Sequence, residues 1–179
     1  MSSGTRRQVL FVVFFLVVVL FFVTTFRLGL VQGDSMVPTY HNGQVVLVWK
    51  KGPFCPALQR NDVILLRQRD DVIIKRIYRL PGEVVDSSFP DVRRQAFDTG
   101  LSDFYEQKTM KTPSGDKILL TVPKGYLVVL GDNLPISDDS RVFGPVPIRD
   151  VLGVVAAPPP PPYEQLLGHP GILRPRSIP

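Results

Sequence analysis

Val72-Ile73-Ile74-Lys75-Arg76-Ile77-Tyr78-Arg79-Leu80 lies between Asp70-Asp71 and Pro81-Gly82-Glu83. β-Branched and aromatic residues dominate it, and turn-forming residues bound it on both sides, so it reads as a strand. Side chains alternate along a strand, which puts Ile73, Lys75 and Ile77 on one face. An amine between two isoleucines has two fates. It either snorkels to water from a strand edge, or it is buried and loses its proton more easily. A neutral lysine amine is a general base near neutral pH, able to activate a serine hydroxyl without histidine.

Segments of the same kind recur on both sides. Gln44 to Trp49 follows the turn His41-Asn42-Gly43, and Asn61-Asp62 opens Val63 to Arg67. Lys117 to Val122 follows Pro113-Ser114-Gly115-Asp116, Tyr126 to Leu130 follows Pro123-Lys124-Gly125, and Val151 to Val155 closes the series. Lys50 to Arg60 and Gly131 to Pro147 read as loops. Asp86 to Lys111 is polar and weakly patterned, and reads as a small insertion or lid with little core of its own. Short strands joined by Gly, Pro, Asp and Asn turns predict an all-β domain of antiparallel sheets over residues 28–156. No repeat of 20–50 residues points to a solenoid or propeller. From Ala157 five consecutive prolines begin a tail, residues 157–179, expected to be an extended, disordered terminus.

Composition narrows the function classes. The 179 residues suffice for one domain with a real core, and the 18 prolines argue against a helical protein. One cysteine, Cys55, excludes an internal disulfide and a cysteine-based zinc cluster, and His41 and His169 leave little room for a histidine metal site. We therefore expect no metal and no cofactor. The net charge of +5 has no dense basic block and no interleaved aromatics, so nucleic acid is not an expected partner. It is compatible with an anionic membrane surface. Oligomeric state is not legible.

Val9 to Val23 is unbroken Val, Leu and Phe, and Arg27 ends the apolar run. Eighteen residues at 1.5 Å each give roughly 27 Å of helix, close to a hydrocarbon core of about 30 Å. No alanine precedes Ala57, so an A-x-A cleavage site is missing. Residues 9–27 are read as a retained single span. Arg6 and Arg7 precede it and Arg27 alone follows closely, which puts residues 1–8 in the cytoplasm and the β domain on the far side. An extended linker from Phe26 then holds residue 35 within about 30 Å of the membrane boundary.

That residue is a serine, in Gly33-Asp34-Ser35-Met36-Val37-Pro38-Thr39. The segment resembles the nucleophile segment of the type I signal peptidases, roughly Ser-Gly-Ser-Met-x-Pro-Thr. Lys75-Arg76-Ile77-Tyr78-Arg79-Leu80-Pro81-Gly82-Glu83 resembles the family's lysine segment, with Arg79 for a common Gly and Glu83 for a common Asp. Gly131-Asp132-Asn133-Leu134-Pro135-Ile136-Ser137-Asp138-Asp139-Ser140-Arg141, followed by Gly144, resembles the family's Gly-Asp-Asn-x-x-x-Ser-x-Asp-Ser-Arg-x-x-Gly. Leu134 and Ile136 replace a frequent Arg and Asn. The three segments stand in family order over roughly Val9 to Val155.

The resemblance implies a membrane-anchored serine endopeptidase that removes signal peptides from secreted preproteins, with small residues at −1 and −3. Its partners would be preprotein signal peptides and the lipid bilayer, and its location a plasma membrane, with the absence of an Arg/Ser-rich presequence favouring a bacterial over an organellar one. It implies Ser35 as nucleophile, Lys75 as general base, Ser137 as the group orienting the lysine, and Asp139 with Arg141 as a bracing ion pair. The Ser35 N–H would stabilise the oxyanion. Gly33 stands where some members carry a hydroxyl donor. Met36 is open between a lipid or substrate contact and ordinary core packing. His41 and Cys55 lack partners for a nucleophilic pair, and Asp70-Asp71 and Asp138-Asp139 read as solvated turn carboxylates. Rivals are a Ser-Lys self-cleaving repressor, a specialised pilin-maturation peptidase, and a non-catalytic membrane-anchored β module.

Overall fold

The computed structural model of the chain describes residues 3–85, 104–112, 115–156 and 158. Helix α1 spans Ser3–Thr25. Within it Arg6–Thr25 is long and apolar enough to cross a membrane, and its Val, Leu and Phe side chains are exposed along nearly the whole length. An apolar surface of that extent matches a membrane-spanning helix in length and composition.

No linker follows the helix. Strand β1, Phe26–Leu30, begins at the next residue and pairs antiparallel with β2, Val45–Lys50, from Phe26↔Trp49 to Leu30↔Val45. This corrects the expected extended connection, because Phe26 to Leu30 continue the apolar composition of the helix while their backbone hydrogen bonds go to β2. The junction is pinned by aromatic contacts. Phe26 lies 4.2 Å from Trp49 and 5.5 Å from Phe22, and Phe21 lies 5.3 Å from Phe54, centroid to centroid. Lys50 Nζ donates to the Val23 carbonyl at 2.6 Å. A lysine there satisfies an orphan carbonyl at the negative end of the helix dipole.

The remaining elements are β3 (Val63–Gln68), β4 (Asp71–Arg79), β5 (Val84–Val85), β6 (Glu106–Thr112), β7 (Gly115–Thr121) and β8 (Tyr126–Leu130). After them come a short helix α2 (Ser140–Phe143), β9 (Val146–Pro147), a 3-10 turn at Ile148–Asp150 and β10 (Val151–Val155). One sheet has the order β1-β2-β10-β3-β4-β8-β9 and a smaller one the order β5-β7-β6, with every pairing antiparallel. The all-β antiparallel expectation therefore holds.

Central strand β3 shows why its sequence is a continuous Val-Ile-Leu-Leu. Val63 and Leu65 enter a cluster with Val31, Met36, Tyr40 and Val46, while Ile64 and Leu66 enter another with Ile77, Leu127, Val129 and Val154. Both faces are covered, so no polar alternation remains. A third cluster, with Tyr78, Val85, Tyr105, Leu120 and Leu130, brings side chains of the two sheets together.

Two further expectations need correction. Glu106–Thr112, within the expected insertion, is a strand paired along its whole length with β7, and Tyr105 is buried in the core at 5% exposure. Its polar composition hid an element whose partner supplies the pattern. The Gly131 to Pro147 loop contains α2 and β9. Residues 86–103, Pro113-Ser114 and most of the tail, 159–179, lie outside the described residues.

Candidate active site

Ser35 sits in a tight turn that ends the path from β1. Val37 N–H donates to the Asp34 carbonyl at 3.1 Å and Tyr40 N–H to that of Met36 at 2.9 Å. Gly33 enters the turn at φ 78°, a left-handed conformation that favours glycine, and its N–H donates to Asn42 Oδ1 at 3.0 Å. The Val37-Pro38 peptide is cis. Met36 is fully buried, 0% exposed, among Val31, Tyr40 and Val46. That corrects the lipid or substrate contact considered for it. Its side chain pins the turn to the core.

Lys75 arrives from the middle of β4. It is 3% exposed, and its Nζ donates to Ser35 Oγ at 2.8 Å and to Ser137 Oγ at 3.1 Å. Burial lowers its pKa below the ordinary lysine value of 10.5, and the negative charges of Asp139 and Asp138 oppose that shift only in part. Ile77 and Ile73, two positions away on the same strand, pack into the cluster around Ile64 and Leu66.

The loop after β8 supplies the third group. Ser137 is 5% exposed and Asp139 0%. Asp139 caps α2: Oδ1 accepts from Arg141 N–H at 3.2 Å and from Arg141 Nε at 2.9 Å. Oδ2 accepts from Gly131 N–H and from Arg141 Nη2, both at 3.0 Å. Arg141 Nη2 also donates to the Leu134 carbonyl at 2.6 Å and the Ser137 carbonyl at 3.2 Å. The pair thus closes the loop on itself and fixes the direction of Ser137.

Sequence reasoning missed four parts of the framework. Arg76 is completely buried, with Nε 2.8 Å and Nη2 2.7 Å from the two carboxylate oxygens of Asp132. Asn133 N–H donates to the Ser35 carbonyl at 3.0 Å, and its side-chain amide to the Asp34 carbonyl at 3.1 Å. Gly131 passes so close to the serine turn that a Cβ would collide with Ser137 Oγ and with the Ser35 carbonyl. Strand alternation held a usable signal for Arg76. It points away from the face of Lys75 and, in an apolar strand, needs a carboxylate partner.

A groove of about 620 Å³ ends at Ser35 and Lys75. Its walls are β1 with the following Val31-Gln32 and the first half of β4, and Val46 and Leu65 lie along it. β8 pairs only with Arg76, Ile77 and Arg79 of β4, so it does not cover the edge of Asp71–Lys75. Gly29 keeps the groove open at β1, since a Cβ there would press on Leu65 and Val46 at 3.3 and 3.4 Å.

The sequence profile of the family described as signal peptidase, peptidase S26, matches residues 5–158. Signal peptidase I V of Bacillus subtilis (strain 168) is 33% identical over 136 residues, covering 70% of this chain and 81% of the relative. Signal peptidase IB of Staphylococcus aureus (strain COL) is 29% identical over 146 residues, covering 70% and 73%. A crystal structure of a signal peptidase I from Enterococcus faecalis V583 matches at 27% identity, covering 57% of this chain and 99% of the other, with a TM-score of 0.37.

Proposed function

The chain belongs to the signal peptidase S26 family, serine peptidases that cleave signal peptides, and we propose that Ser35 is its nucleophile and Lys75 its general base. The observation that carries this reading is the 2.8 Å contact between Ser35 Oγ and the nearly inaccessible Lys75 amine. Burial favours the neutral amine, the form that accepts a proton.

The chemistry runs in two halves. The neutral Lys75 amine takes the Ser35 proton as Oγ attacks the carbonyl carbon of the residue before the cut. The oxyanion forms beside the turn, where the Ser35 N–H is the candidate donor. Gly33 has no side chain to add a hydroxyl. The Lys75 ammonium then protonates the leaving amine as the C–N bond breaks, leaving an ester on Ser35. Water, deprotonated by Lys75, hydrolyses that ester and restores the enzyme. Ser137 keeps the amine aimed at Ser35 through its 3.1 Å hydrogen bond, and Asp139 with Arg141 holds Ser137.

The preprotein lies extended in the groove, its backbone adding to the free edges of β1 and early β4. Where it reaches Ser35, the groove accepts small side chains at −1 and −3. α1 crosses a plasma membrane with residues 1–8 in the cytoplasm, following the charge bias of Arg6 and Arg7. The outer face of the β1–β2 pair supports contact with lipid, since Leu28, Leu30, Val45 and Leu47 are 73%, 62%, 57% and 44% exposed.

The test is incubation of the detergent-solubilised full chain with a preprotein, followed by sequencing of the new N-terminus. A single cut after Ala-x-Ala is expected. No cleavage, or cleavage after large side chains, contradicts the reading.

A further inference from the structure

Arg27 is the second residue of β1, two positions beyond the last residue of the anchor helix. It alternates with the outward Leu28 and shares the inner side of the strand with Gly29, and it lines the groove. Its Nε and Nη2 are buried and have no hydrogen-bond partner among the described residues. Asp71, an acidic residue lining the same groove, is exposed and makes no ion pair with it. Guanidinium donors removed from water without an acceptor are costly, so turning the guanidinium out into the groove it lines, toward an acceptor that arrives with a ligand, relieves that cost.

The position of Arg27 says what kind of acceptor. α1 ends at Thr25, and its terminal carbonyls face the depletion common to every helix end: the last four have no intrahelical donor, and a partial negative charge gathers there. Lys50 meets this need for α1 at the Val23 carbonyl, 2.6 Å away. An apolar signal peptide helix crossing the same bilayer ends at the same level. Its chain must then turn extended to enter the groove toward Ser35. At that transition it presents bare helix-end carbonyls beside Arg27, the one cation besides Lys75 among the described residues lining the groove.

We propose that Arg27 is a substrate-binding residue that caps the carboxyl end of the signal peptide's apolar helix, as Lys50 caps that of the enzyme's own anchor. This rests on the proposed function and deepens it. The recognition is of backbone carbonyls, so it does not depend on signal peptide sequence. It registers the end of the membrane helix against the cut, and so favours substrates whose helix ends a fixed distance before the small residues.

The test uses the detergent-solubilised full chain with two substrates: a preprotein, and a short peptide that spans the cut but has no apolar helix. Arg27→Met keeps the length of the side chain and removes its donors. It is expected to raise KM for the preprotein about tenfold with little change in kcat, and to leave the short peptide unaffected. Arg27→Lys should recover most of the loss. A wild-type KM for the preprotein with Arg27→Met overturns the proposal, and so does an equal loss on both substrates, which marks a structural role. A defect seen only in anionic vesicles and absent in neutral detergent assigns Arg27 to a lipid phosphate and also overturns it. Failure of the wild-type chain on both substrates instead removes the proposed function, and this inference with it.

Discussion

The α-carbon of Gly131 faces Ser35 so closely that a Cβ there would lie 2.5 Å from the Ser35 carbonyl oxygen. The Gly-Asp-Asn loop is therefore moulded onto the Ser35 turn, and Asn133 ties the two together through the Ser35 and Asp34 carbonyls. Gly131→Ala should push the loop away and carry Ser137 off Lys75. We expect a loss of stability of about 1–3 kcal/mol, typical of overpacking. The loss of preprotein cleavage should be far larger than such a change explains. Thermal unfolding and single-turnover cleavage measure the two effects.

Arg76 and Asp132 form a bidentate ion pair with side chains 1% and 0% exposed. Removing one partner leaves the other charged and buried. Asp132→Ala should cost about 3–5 kcal/mol in urea unfolding. Replacing both with apolar residues of similar volume should recover much of that stability, because the ions' desolvation cost disappears with them. A small effect of Asp132→Ala alone would mean that the pair is wetter than its burial indicates.

Lys75 has a folded-state pKa below its ordinary value of 10.5. Between the two values the unfolded chain holds the extra proton, so stability rises with pH across that window. Below the folded pKa the burial penalty is present in full, and above 10.5 it is gone. Lys75→Met should therefore be more stable than wild type at neutral pH, with the difference shrinking as pH approaches the ordinary lysine value. In the proposed mechanism the same group sets the rate. kcat/KM should rise with pH along a limb whose midpoint lies below 10.5 and which tracks the neutral amine.

Lys50 and the aromatic contacts hold α1 to the β domain without a linker. Lys50→Met should loosen the end of the helix, and hydrogen exchange at residues 23–27 should quicken while the β3 and β8 amides stay protected. Unchanged exchange there would show that the rings alone secure the junction.

The sequence made the strands with covered faces legible. Val63–Gln68, Asp71–Arg79 and Tyr126–Leu130 are dense in β-branched and apolar residues between clear turns. Of the edge strands that were not legible, two escaped for opposite reasons. Phe26–Leu30 continues the composition of the helix before it, and Glu106–Thr112 is polar because it lies at the edge of the small sheet. Propensity in both is overridden by pairing with a neighbour. In the site, the alternation of side chains placed Lys75 on an apolar strand but could not bring Ser35 and Ser137 to it, since they lie 40 and 62 residues away in sequence. Met36 follows the serine directly, so its sequence position left a surface contact open beside core packing, and the turn rotates it into the core. Arg76 drew no reading of its own in the sequence, because its partner is 56 residues further on.

The central claim is that the Lys75 amine is the base for Ser35. Single-turnover cleavage of a preprotein by the solubilised full chain, with the fold of each variant checked by circular dichroism, tests it most directly. Ser35→Ala and Lys75→Ala should each lower the rate by about a thousandfold or more, and the double variant should be no worse than either, because the two groups act as one unit. Cleavage by Lys75→Ala at the wild-type rate would contradict the account.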